Sequence, residues 1–160
     1  MQLSLDYKPR IRLACGAVVT ALLLTVSSLA ALPVGAGLTN LSGGDLDGES
    51  LDQGTVLIVV YASWSPRCRD VLPKVKALEK KWGGEARVLL VSFQETAEEV
   101  EAFVGSDVEV EIAIDEDGSF SKRHAVTYLP GLLVLREGKT VFSGKLPPRG
   151  ADQLLTQILS

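Results

Sequence analysis

Seven consecutive residues, Thr55-Val56-Leu57-Ile58-Val59-Val60-Tyr61, carry no charge and do not alternate apolar with polar. A strand with one wet face alternates; a run that is apolar at odd and even positions has to be covered on both faces, as the strands of a parallel sheet are. Immediately after it, Ala62-Ser63-Trp64-Ser65-Pro66-Arg67-Cys68 leads into a stretch of different period. Val71, Leu72, Val75, Leu78 and Trp82 recur at helical spacing, with Lys74, Lys76, Glu79, Lys80 and Lys81 on the other face. A buried strand that becomes a helix within a few residues places the junction at the carboxyl edge of a sheet. Open α/β folds keep their chemistry at that edge.

The rest of the chain is consistent with this frame. The pattern predicts a helix over Pro66 to Trp82, bent at Pro73 and closed by Gly83-Gly84 in a left-handed cap. Arg87 to Phe93 reads as a second buried strand, and Thr96 to Val104 as a helix with Val100, Phe103 and Val104 inward. Val108 to Ile114 reads as a third strand, Asp115 to Gly118 as a turn and Phe120 to Ala125 as a short helix. Short links between such elements imply right-handed crossovers and a parallel sheet. Leu132 to Leu135 and Thr140 to Phe142, joined through Glu137-Gly138, then form a hairpin, and Ala151 to Leu159 a closing helix.

Ahead of this α/β part, Leu13 to Leu32 contains no charge, and the next charge is Asp45. Twenty helical residues at about 1.5 Å each span roughly 30 Å, the thickness of a hydrocarbon core. Lys8, Arg10 and Arg12 stand just before the run, which keeps the start in the cytoplasm and exports the chain beyond the run. The chain therefore divides into a basic start over 1–12, a transmembrane anchor or cleaved signal peptide over 13–32, a Gly- and Ser-rich tether over 33–45 and a folded domain over 46–160. The expected location is the bacterial inner membrane, single-pass with the domain facing the periplasm, or the periplasm itself after cleavage.

Charge and cysteine count exclude several functions. The chain carries −4, and with three of its basic residues ahead of the apolar run the remainder is more acidic still. No nucleic-acid surface is expected from it. Cys15 lies in the apolar run, leaving Cys68 alone in the domain. An internal disulfide framework and a cysteine-rich zinc site are both excluded, and no metal or other cofactor is expected.

The junction resembles the active site of the thioredoxin superfamily. The residues that carry the resemblance are Trp64, then Ser65-Pro66-Arg67-Cys68, then Pro73, and downstream Tyr128-Leu129-Pro130, where the family has a cis-proline. With the apolar amino terminus, the Asp47-Gly48 segment and an extra helix and strand at about Thr96 to Ile114, the chain looks like the TlpA/ResA-like branch of membrane-anchored thiol-disulfide oxidoreductases. The resemblance implies a central mixed sheet flanked by helices. It implies exported thiol-containing proteins, apocytochrome c among them, or a membrane disulfide reductase as partners. It also makes Trp64, Pro66, Arg67, Leu129 and Pro130 the substrate-binding residues, with client backbone pairing against Leu129.

The site departs from the family at its first position, where Ser65 replaces the attacking cysteine of Cys-x-x-Cys. A hydroxyl does not exchange electrons with a disulfide, so this domain has no dithiol cycle of its own. Val59 also replaces the buried acid that thioredoxins use to move protons. Ser65 before Pro66 suits a helix cap. Cys68 is then either a candidate thiol, favoured by Arg67 and Arg69, or a small apolar core residue. His124 reads as a surface or edge residue, and Glu98, Glu99, Glu101, Glu109 and Glu111 as solvated faces. Three functions remain open: weak or partner-dependent thiol-disulfide exchange, a redox-inactive binding or assembly module, or a peroxidase using Cys68. Peroxidases of the peroxiredoxin type also present Ser-x-x-Cys or Thr-x-x-Cys, but with a proline where this chain has Tyr61.

Overall fold

A computed structural model of the chain describes residues 33–46, 51–105, 108–149 and 151–159. The segments 1–12 and 13–32, with Cys15, and the Asp47-Gly48 turn lie outside them. Among the described residues no helix is long and apolar enough to cross a membrane.

The strands are β1 (Thr39–Asn40), β2 (Thr55–Tyr61), β3 (Arg87–Phe93), β4 (Glu111–Asp115), β5 (Gly131–Arg136) and β6 (Lys139–Lys145). They form one sheet in the order β1-β4-β3-β2-β5-β6. The pairs β2–β3 and β3–β4 are parallel, whereas β1–β4, β2–β5 and β5–β6 are antiparallel. The helices are α1 (Val71–Trp82), α2 (Ala97–Val104), α3 (Ser119–Arg123) and α4 (Asp152–Leu159). The expected mixed α/β sheet is thus present. The third strand starts at Glu111 rather than Val108, because Val110 turns inward while Glu111 pairs with Arg87 across the sheet. Glu111 is therefore not simply part of a solvated face.

Alternate residues of β2 feed two apolar layers. Leu57, Val59 and Tyr61 pack with Val71, Val75 and Leu78 of α1, Val100 of α2 and Leu155 of α4. Val56, Ile58 and Val60 pack on the other face with Leu38, Leu51 and Phe120. A capping box of Thr96 and Glu99 closes the start of α2: Glu99 N–H donates to Thr96 Oγ1 (3.4 Å) and Thr96 N–H to Glu99 Oε2 (2.9 Å).

Two local expectations are corrected, the single helix over 66–82 and its left-handed cap. Residues 66–82 are not one helix: Pro66–Cys68 form a single 3₁₀ turn, and α1 begins only at Val71. Pro73 then falls in the first turn of α1, where no backbone N–H has an intrahelical partner, so it costs no hydrogen bond and need not bend the helix. Gly83 keeps a right-handed conformation (φ −60°, ψ −17°) and its N–H donates to Glu79 O. Glycine is required there by space, since a Cβ would lie 2.6 Å from that same carbonyl oxygen.

The stretch 33–45 is built into the domain rather than strung out as a tether. Thr39 and Asn40 pair with Ile114 and Ala113, Leu46 N–H donates to Leu38 O, and Leu38 is buried in the second apolar layer. Arg123 Nη1 donates to Val34 O (3.3 Å), and the half-buried His124 ring lies against Phe120 with Nδ1 3.0 Å from Thr140 Oγ1. Leu38→Ala is expected to lower the unfolding free energy by about 2–5 kcal/mol in denaturant titrations, the cost of a buried leucine cavity. A passive tether would give no change.

Candidate functional site

The register of the sheet builds the site. β2 ends at Tyr61, and Gly131 at the start of β5 pairs with Val60, so the chain entering β5 through Tyr128-Leu129-Pro130 lies against the exit of β2. Gly131 permits this turn, because a Cβ there would stand 2.8 Å from Tyr128 O. The Leu129–Pro130 bond is cis, as the resemblance implies. Leu129 packs against both apolar layers, while Tyr128 is 51% exposed.

From Tyr61 the chain turns sharply. Ser65 N–H donates to Ala62 O (3.1 Å) and Cys68 N–H to Ser65 O (2.9 Å), which winds Pro66–Cys68 into its 3₁₀ turn. Pro66 opens that turn as expected. Ser65 holds the extended cap conformation, but its hydroxyl makes no capping hydrogen bond, and the residue is buried. Trp64 projects outward, 61% exposed, and Pro66 and Arg67 are exposed beside it. Cys68 is 0% exposed and packs in the apolar layer with Tyr61, Val71 and Val75. Asp70 pairs with Lys74 (2.8 Å), not with the neighbouring arginines, and that contact holds its carboxyl below the usual range.

Two residues at this edge drew no functional reading from the sequence. Glu95, two residues beyond β3, is buried; its Oε1 accepts from Ser63 N–H (2.9 Å) and from Ser63 Oγ, while Oε2 has no partner. The available signal was an acid directly after a buried strand, at the edge where Trp64 and Ser65 also lie. Tyr61 stacks on Phe103 with ring centroids 5.2 Å apart, and its hydroxyl is buried without a partner. Burial first, then the charges of Glu95 and Cys68, push the phenol well above its ordinary 10.0. Phenol, carboxyl and thiol therefore share one low-dielectric region. Among the described residues no three His, Cys, Asp or Glu side chains come together to hold a metal.

This arrangement can bind but is poorly set for direct attack. An incoming sulfur or peroxide meets the exposed Trp64, Pro66 and Arg67, whereas Cys68 has no exposed surface. The peroxidase reading needs a peroxide at Cys68 Sγ, and the burial of that residue gives it no support.

The raised Tyr61 phenol has a measurable consequence. Its proton is held more tightly in the folded than in the unfolded chain, so the stability it contributes is full below pH 10.0 and is lost as pH rises beyond it. Tyr61→Phe removes both this loss and an unpartnered hydroxyl. At neutral pH the variant is expected to match or exceed the parent by about 1 kcal/mol in urea unfolding. The advantage should grow in alkaline buffer; a gap that shrinks there would contradict the assignment.

Comparison with known proteins agrees with the fold. No curated protein sequence matches the chain. Among solved structures, a secreted Mycobacterium tuberculosis disulfide oxidoreductase homologous to E. coli DsbE superposes with a TM-score of 0.64 at 19% identity, covering 79% of this chain and 96% of its own. StoA from Bacillus subtilis gives 0.59 at 18% identity, with coverage of 77% and 96%. An exposed lipoprotein thioredoxin from Streptococcus pneumoniae gives 0.64 at 22% identity, with coverage of 76% and 96%. At these identities the likeness is one of fold. The family profile described as thioredoxin-like matches residues 53–141, from just before β2 through the hairpin turn into β6. The chain belongs to the thioredoxin-like family.

Proposed function

We propose that this protein holds extended, thiol-bearing polypeptides in the cell envelope without running a dithiol–disulfide cycle of its own. The observation that carries the reading is the pairing of Ser65, at the family's nucleophile position, with a Cys68 that has no exposed surface. The family's binding elements remain: Trp64 beside Ser65 and Tyr128 beside Leu129-Pro130 are both exposed, an unusual amount of aromatic surface to leave in water. Residues 13–32 would anchor or export the domain. The TlpA/ResA-like resemblance makes reduced, exported chains such as apocytochrome c, or a membrane disulfide reductase, the partner class.

Cys68 favours one second reading, partner-dependent exchange. It occupies the family's second-cysteine position at the start of the helical segment, so opening of the 65–67 turn would expose it. Its thiolate would attack a client disulfide, forming one mixed disulfide and releasing the other client sulfur as thiolate. An external thiol would then have to reduce the adduct.

Site-specific photo-crosslinking in envelope preparations separates the two. If the protein is a holder, Cys68→Ala leaves client capture intact, whereas Trp64→Ala at the exposed edge weakens it by about tenfold, or roughly 1.4 kcal/mol. Adducts that disappear in Cys68→Ala and are released by reductant would replace that reading with exchange.

A further inference from the structure

We propose that the cavity bounded by the end of β3, α3 and the 126–129 loop is a specificity pocket for one bulky apolar side chain of the held polypeptide. The inference rests on the holding function above and names which segments it prefers. The cavity measures about 240 Å³ and is lined by Phe93, Ser121, Val126, Thr127, Tyr128 and Leu129. Sites for whole small-molecule ligands usually occupy about 300–1,000 Å³, so this one suits a single side chain of leucine, methionine or phenylalanine size.

Three independent features mark it as more than a crevice. Ser121 is 1% exposed, and although its N–H donates to Asp115 Oδ2 (2.8 Å), its hydroxyl has no partner. Buried hydroxyls are ordinarily hydrogen-bonded, so one left over on a cavity wall indicates a partner supplied from outside. The backbone on both sides is held in the left-handed region: Gln94, after Phe93, has φ 56°, and Ala125, before Val126, has φ 52°. Among the described residues Glu137, in the β5–β6 turn, is the only other non-glycine residue with this conformation. Such conformations gather at ligand clamps. Finally, the pocket is continuous with the edge already assigned, since Leu129 is one of its walls and Tyr128 stands exposed beside it.

An extended chain advances about 3.3 Å per residue and sends alternate side chains to opposite faces. A segment lying along Leu129 therefore brings a side chain to the pocket within one or two residues. Phe93, Val126 and Leu129 make an apolar lining that disfavours a charged occupant. The segment's own backbone supplies the missing partner for the Ser121 hydroxyl.

The full chain, kept in mild detergent, is titrated calorimetrically with capped octapeptides in which serine alternates with alanine, leucine, phenylalanine or aspartate. The leucine and phenylalanine peptides should bind at least tenfold more tightly than the alanine peptide, and the aspartate peptide more weakly. Val126→Phe and Thr127→Phe fill the cavity from two sides and should erase the preference. Thr127 is exposed, so its variant decides the matter if Val126→Phe does not fold. Equal affinity for all four peptides, or a preference that survives filling, overturns the pocket while leaving the holding function standing. No binding by any of these peptides, nor by the same peptides carrying one added cysteine under reducing conditions, overturns both.

Discussion

Strand β2 is the constraint on which everything else depends. Every residue from Val56 to Tyr61 is buried, and the strand is hydrogen-bonded to β3 on one side and β5 on the other. Its side chains therefore serve two apolar layers at once, and a one-residue slip against β5 would exchange them. That register also carries the Val60–Gly131 pair, which brings Leu129-Pro130 beside the exit of β2. Core packing and the geometry of the candidate site are consequences of one alignment.

The same alignment explains why the fold was legible in the sequence. Runs such as Thr55–Tyr61 and Arg87–Phe93, short and rich in β-branched and aliphatic residues, read as strands covered on both faces, and the lysine-rich face of α1 as a helix with one side inward. The segment around Leu38 misled because its Gly, Ser and Thr content describes its turns, whereas its role is decided by one leucine and two edge residues that pair with β4. Helical periodicity likewise ran through Arg69 and Asp70, although the chain there changes from a 3₁₀ turn to α1. A period locates the buried face; it does not locate a break that leaves that face intact.

The site was legible as a position and less so as an environment. Trp64, Ser65, Cys68, Leu129 and Pro130 are marked by the resemblance to the thioredoxin superfamily, which rests on short motifs and not on what surrounds them. Glu95 is not: its place just after a buried strand was the one signal, and residue type alone does not separate it from the exposed Glu98 and Glu99. Its environment is set by two hydrogen bonds accepted from Ser63, a residue far away in sequence. The unpartnered Tyr61 hydroxyl arises in the same way, from burial by Phe103 and the layer around Cys68.

The buried polar groups at this edge carry a cost. Ser65, Cys68, Tyr61 and Glu95 are all buried, with one carboxyl oxygen of Glu95 and the Tyr61 phenol unsatisfied. A purely structural edge would gain by filling that region with apolar side chains, since unpaired buried polar atoms are costly. Their presence, beside an exposed Trp64 and a pocket whose Ser121 hydroxyl also lacks a partner, means that stability alone does not account for this edge. Local packing is poorest along this edge, and under the proposed holding function it is the surface across which an extended polypeptide would lie.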